Sequence, residues 1–165
     1  MKKSGMIICA LMLTASVWAG EGDRYVNINS GFLFNSTLNV TAGYERQLEY
    51  GDAVELFGEV GDRWHRDPVC GRVCSKVFWK DHYWDGGLLY KKSVRRFKNS
   101  RLRLRVGPVF GSHTGDYFFG VEGGLEYDCI FPCGIQFSVI QKNDVSFLHG
   151  DTFRNGVLIG IKVPF

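Results

Sequence analysis

Arg101, Arg103 and Arg105 recur at every second position, and Glu122 and Glu126 share one parity shortly afterwards. Alternate residues of a β-strand point to opposite faces, so each set would project from one side of a strand. Glu55 and Glu59 form a third such set, Arg154 and Lys162 a fourth, and Glu45 offers a further acid. Charges spaced in this way suit two tasks. They can pass protons or ions along a polar path, or neutralise one another in a buried ion-pair network. The second demands a partner for every charge, because an isolated charge out of water is costly.

Other reactive residues give weaker patterns. Cys9 lies in an amino-terminal apolar segment, and the remaining cysteines form two Cys-x-x-x-Cys pairs, Cys70 with Cys74 and Cys129 with Cys133. In an exported protein such pairs suggest disulfides. Each would bridge two residues facing one another across a three-residue hairpin loop, with Gly71 and Pro132 as loop residues. A four-thiolate zinc site is the alternative, and it needs all four sulfurs together and reduced. The histidines are His65, His82, His113 and His149. Ser112 and His113 are adjacent, so their side chains would leave a strand on opposite faces. No metal-ligand spacing or phosphate-binding glycine loop is present in the sequence, and no catalytic residue, metal or cofactor is assigned.

The elements that would position these residues are strands. The chain has 165 residues, with 21 Gly, 4 Pro and 15% aromatics, a composition that suits short strands and tight turns. Eight strands are expected: Tyr25 to Phe34, Thr37 to Glu45, Ala53 to Gly61, about Val77 to Tyr90, Arg101 to Phe110, Tyr117 to Tyr127, Gly134 to Gln141, and Phe153 to Phe165. The parity of the fourth is not readable. In the others one face is apolar, as with Leu38, Val40, Ala42 and Tyr44, or Leu102, Leu104, Val106, Pro108 and Phe110. The charged sets fall on the opposite face.

That polarity separates two kinds of barrel. A lipocalin-like soluble barrel has an apolar lumen and a polar exterior, whereas here the charges face in. An outer-membrane barrel needs apolar residues toward lipid and tolerates a polar interior. Eight strands leave a lumen just wide enough for side chains to fill, which favours a salt-bridged plug over an ion path. The expected fold is therefore all-β: an eight-stranded antiparallel up-and-down transmembrane β-barrel.

Both ends of the chain agree with export to the bacterial outer membrane. Lys2 and Lys3, the apolar run Met6 to Ala19 and the small-x-small triplet Val17-Trp18-Ala19 read as a signal peptide over residues 1–19. Residues 20–165 would form the barrel. Of the 20 Lys plus Arg, two belong to the leader, so the rest nearly balance the 17 Asp plus Glu. Nothing in that balance suggests direct nucleic-acid binding. At the other end Ile161, Val163 and Phe165 alternate toward an aromatic carboxy-terminus, a pattern like the signal read by outer-membrane assembly machinery. That machinery and outer-membrane lipid are the partners the strands imply. With both termini periplasmic, the turns near Tyr50-Gly51, Arg95 to Asn99 and Cys129 to Cys133 would be periplasmic. The connections near Asn35-Ser36, Arg66 to Lys76, Ser112 to Asp116 and Asn143 to Thr152 would be external. The two cysteine pairs then lie at opposite ends, about 25 Å apart, which allows local bridges and disfavours zinc.

Several segments carry a family texture. Tyr83-Trp84-Asp85-Gly86-Gly87 is followed by a basic turn and a strand ending Val106-Gly107-Pro108-Val109-Phe110-Gly111. Tyr117 to Tyr127 and Gly156-Val157-Leu158-Ile159-Gly160-Ile161-Lys162 follow, and the Ala42-Gly43-Tyr44-Glu45 hairpin lies upstream. In this order the chain from Asp81 to Phe165 resembles the conjugal transfer protein TraO family of Bacteroides-type conjugative transposons. The resemblance implies a non-enzymatic structural component of a mating apparatus, contacting other conjugation proteins through its loops or the turn Arg95-Arg96-Phe97-Lys98. Three alternatives stay open: an envelope-integrity or adhesion barrel, a small barrel enzyme acting on lipid, and a soluble disulfide-linked sandwich.

Overall fold

A computed structural model describes residues 24–64, 80–147 and 153–165. Residues 1–19, Cys70 and Cys74 lie outside the described residues, as do His65 and His149. Eight strands run in chain order: β1 (Arg24–Leu33), β2 (Thr37–Gln47), β3 (Ala53–Arg63), β4 (His82–Arg96), β5 (Ser100–His113), β6 (Asp116–Ile130), β7 (Gln136–Phe147) and β8 (Phe153–Pro164). Each pairs antiparallel with its sequence neighbour, and β1 pairs with β8 from Tyr25 opposite Pro164 to Leu33 opposite Gly156. The sheet is a closed up-and-down barrel. Closure leaves no unpaired sheet edge among these strands.

Period-two alternation explains the wall. Ile28, Val40, Val60, Leu104, Val121, Val139 and Ile159 all face outward and are exposed. Asn29, Thr41, Glu59, Arg103, Glu122, Ser138 and Leu158 face the lumen and are buried. The apolar exterior and charged interior invert the pattern of a soluble barrel. A small apolar group of Phe57, Leu89 and Val109 sits within the lumen among the charges.

Two strands differ most from the sequence reading, while β5 and β6 each run three residues past their expected ends. β4 starts later than expected and runs on to Arg96, past the expected end at Tyr90. Lys91 turns inward to find acids, and the basic stretch beyond it pairs with Arg105 to Arg101 through an irregularity between Ser93 and Arg95. β7 continues six residues beyond Gln141, because Lys142 and Asp144 turn inward to ionic partners. Both stretches look like loops in sequence because polar residues occupy both parities.

The turns are correspondingly tighter. Between β5 and β6 the connection is Thr114-Gly115, with φ of 50° and 103°. Positive φ at both central residues matches the right-handed twist of a two-residue hairpin. Between β2 and β3, Tyr50 and Gly51 have φ of 59° and 77°, within a short 3-10 turn Glu49–Gly51. Gly43 serves a different need. A Cβ there would lie 2.6 Å from a Glu55 side-chain oxygen and 2.8 Å from Asn27 Oδ1, so its absence makes room for that lumenal pair.

Candidate functional site

The charged lumen holds the chemistry-bearing side chains. Glu45 from β2, Lys91 from β4, Arg103 from β5, Glu126 and Asp128 from β6, and Lys162 from β8 converge in one layer. Lys91 Nζ donates to Glu45 Oε2 at 2.7 Å and to Glu126 Oε2 at 2.6 Å, and lies 2.6 Å from Glu55 Oε2. Arg103 donates from Nη1 to Glu45 Oε1 at 2.7 Å and also binds Glu126. Its Nη2 lies 2.8 Å from Asp128 Oδ2. Lys162 Nζ reaches Glu45 Oε2 at 2.9 Å, Asp128 Oδ1 at 3.0 Å and Glu126 as well. Each ammonium or guanidinium therefore touches two or more carboxylates from different strands. At this layer Lys91, Arg103, Glu45, Glu126 and Lys162 are all 0% exposed, so side chains fill the lumen.

A second layer lies toward the opposite end of the barrel. Lys142 binds Glu59 and lies 3.1 Å from Glu122 Oε2 and 3.2 Å from Asp144 Oδ2. Arg154 Nη2 donates to Asp85 Oδ2 at 3.2 Å. Its guanidinium carbon sits 4.1 Å from the Tyr83 ring centroid and 4.8 Å from that of Phe118, a cation–π clamp. Asn39 Nδ2 donates to the Tyr83 hydroxyl at 2.6 Å, which donates to Glu59 Oε1 at 3.1 Å. Arg105 joins the layers, bound to Glu122 and 3.4 Å from Glu126 Oε2. Near the end that holds both termini of the barrel, Arg101 donates from Nε to Asp128 Oδ2 at 3.2 Å and from Nη2 to Gln136 Oε1 at 2.6 Å.

The structure places Arg101, Arg103, Arg105, Glu122, Glu126, Arg154, Glu55 and Glu59 together in the lumen, all buried. Lys91, Asp85, Asp128, Lys142 and Asp144 join them without having been singled out in the sequence. Extending the Glu122–Glu126 parity by one step would have found Asp128. Extending the Gln136–Ser138 parity would have found Lys142 and Asp144. Asp85 and Lys91 lay on the strand whose parity was unreadable.

Two carboxylate trios have the spacing of a cation site: Glu45 with Glu55 and Glu126, and Glu59 with Asp85 and Asp144. The chain's own ammonium groups occupy those positions, Lys91 against all three acids of the first trio and Lys142 against Glu59 and Asp144 of the second. The arrangement is a self-neutralising plug.

The cysteine expectation needs correction at one end. Cys129 and Cys133 are free thiols, Cys133 exposed. β6 continues through Ile130, and the hairpin is closed by the Phe131 N–H donating to the Ile135 carbonyl. That register sets Cys129 opposite Phe137 and leaves Cys133 in the turn, so the two sulfurs do not face one another across a loop. Ser112 and His113 leave β5 on opposite faces. His113 contacts the Asp81 carboxylate and packs edge-on to Tyr83 in the barrel mouth.

At the carboxy-terminus Ile161, Val163 and Phe165 are exposed on the outer wall. Phe165 packs against Tyr44, with ring centroids 5.9 Å apart, and its N–H donates to the Arg24 carbonyl at 3.3 Å. With Tyr90 and Tyr127 it forms an aromatic fringe at that end. Trp84, Phe110, Tyr117, Phe119, Phe147 and Phe153 form one at the other end.

No family model matches the chain, and no curated protein matches it. Among solved structures the chain is similar to one described as "De novo design of transmembrane beta-barrels", at 18% identity and a TM-score of 0.47. The similarity covers 88% of this chain and 98% of that one.

Proposed function

We propose that this chain is an outer-membrane barrel that serves as a structural, non-enzymatic component of a conjugative DNA-transfer apparatus. The observation that carries the membrane part is the inverted polarity of the closed barrel. Ile28, Val60, Leu104 and Ile159 offer an apolar wall between two aromatic fringes, while lysines and arginines are buried inside. That is the chemistry a barrel needs in lipid, and a poor arrangement for one in water. The part in conjugation rests on the resemblance of residues 81–165 to the TraO family.

The side-chain arrangement supports an anchoring role. The lumen is filled by ion pairs, which suits a rigid scaffold better than a conduit. Ser112 and His113 diverge, which favours a scaffold over a lipid-cleaving site at that pair. In this reading the short turns at Leu48 to Asp52, Phe97 to Asn99 and Phe131 to Ile135 face the periplasm. The basic turn Arg95-Arg96-Phe97-Lys98 is then available to other transfer proteins.

The test is a clean in-frame deletion with complementation, reading the transfer frequency of the host mobile element. A loss of several orders of magnitude, with normal growth and detergent resistance, supports the proposal. Unchanged transfer overturns the conjugative part and leaves a general envelope barrel.

A further inference from the structure

The seam that closes the barrel carries a groove on its outer face. Val26, Ile28 and Ser30 of β1 line it together with Ile159, Ile161 and Val163 of β8. The two strands are in register there, Val26 opposite Val163 and Ser30 opposite Ile159. Phe137 of β7, beside Ile161, forms a further bank. Ser30 is the small member of this wall and stands between Val40 and Ile159, so the apolar surface is lowest around it. The groove has a volume of about 540 Å³, within the range of pockets that hold small ligands. From Val26 to Ser30 it runs about 13 Å along the strand, at roughly 3.3 Å per residue. That is about half of an apolar band roughly 25 Å tall, the depth of one leaflet.

At the end that holds both termini, the groove runs into positive charge. The next outward position on β1 beyond Val26 is Arg24, directly opposite Arg46 of β2. Both arginines share the outward parity of their strands and are half-buried. They lie next to the packed rings of Tyr44 and Phe165 in the aromatic fringe. Cations and aromatic residues at that height meet the headgroup region, and the guanidinium fork matches the oxygens of a phosphate. A cationic head site and an apolar tail site thus meet end to end on one seam.

We propose that this seam binds one phospholipid of the periplasmic leaflet, its phosphate held by Arg24 and Arg46 and one acyl chain laid in the groove. The order of the two sites along β1 sets the orientation: phosphate at the terminal end, tail toward mid-membrane. Charge complementarity selects an anionic head, and the apolar lining selects a hydrocarbon tail. The bound lipid would touch β7, β8, β1 and β2, and so would span the ladder that closes the barrel. The proposal rests on the membrane reading, because a bilayer is what presents such a ligand to the outer wall in that orientation.

The experiment places the full chain in bilayer discs of phosphatidylethanolamine and phosphatidylglycerol. Native mass spectrometry reads the lipid retained on each barrel, and gel mobility with and without boiling shows that each barrel is folded. The double variant Arg24→Gln, Arg46→Gln removes the head site, and Ser30→Trp fills the groove. The control Arg95→Gln, Lys98→Gln removes the same charge from exposed positions in the β4–β5 turn region. The expected result is one retained phospholipid on the unaltered chain and on the control. Retention should fall about tenfold in the double arginine variant, with a comparable loss in Ser30→Trp. An unaltered chain that enters the discs but retains no lipid overturns the site and leaves the membrane reading standing. So does unchanged retention in either folded site variant, or an equal loss in the control. A chain that fails to enter bilayers at all overturns both.

Discussion

Glu126 touches Lys91, Arg103, Arg105 and Lys162, four cations from three different strands. Removing its charge would leave those cations sharing the remaining acids in a site closed to water. Breaking a buried pair typically costs about 3–5 kcal/mol. Glu126→Gln should therefore lower the unfolding free energy by about that amount, read from urea titration in detergent. A change below about 1 kcal/mol would mean that water or other acids reach the site. Asp52 behaves differently because it sits in the β2–β3 turn. It accepts from Lys92 Nζ at 2.8 Å, from the Tyr90 hydroxyl at 2.6 Å and from the Ser93 N–H at 2.9 Å. These bonds, that from Lys92 first, hold its carboxyl well below the usual carboxylate range. The native value is lower than the unfolded value of about 4, so the stabilisation is complete above that pH. It fades only as pH falls through the depressed native value. Carboxyl-carbon NMR should show Asp52 still ionised at pH 4, and a midpoint at or above 4 would contradict the geometry.

Strands were legible in the sequence wherever the two parities differ in polarity. β5 alternates Arg with Leu and Val, and β8 alternates Val and Ile with Gly and Lys, so both stand out. β7 was only half legible. Gln141 and Asn143 outside and Lys142 and Asp144 inside make four polar residues in a row, which interrupts the alternation before it resumes at Val145 and Phe147. Most of the lumenal charges could be read from spacing alone. Which acid meets which base could not, because it depends on the shear of the closed barrel. Two changes test the elements. Thr114 is β-branched and holds φ of 50°, a conformation that suits Asn or Gly. Thr114→Asn should raise stability by about 1 kcal/mol through relief of that strain. Ile159 lies mid-strand on the outer wall, between Ser30 and Val139. Ile159→Arg should cost about 2–4 kcal/mol in a bilayer, with little effect if the wall faced water.

For the whole molecule, closure of β1 on β8 is the defining event. A barrel held by a continuous ladder and a densely paired ionic lumen should resist detergent at room temperature and unfold on boiling. Unboiled samples should migrate differently from boiled ones on a denaturing gel. Identical mobility would argue for an open sandwich.

The last strand also supplies counter-charge. Lys162 neutralises Glu45, Glu126 and Asp128, and Arg154 neutralises Asp85, yet both cations are made after every acid they serve. A chain cut short before β8 would thus lack a wall and also hold stranded anions. Completeness is written into the electrostatics: an unfinished copy carries acids whose counter-charges have not yet been made.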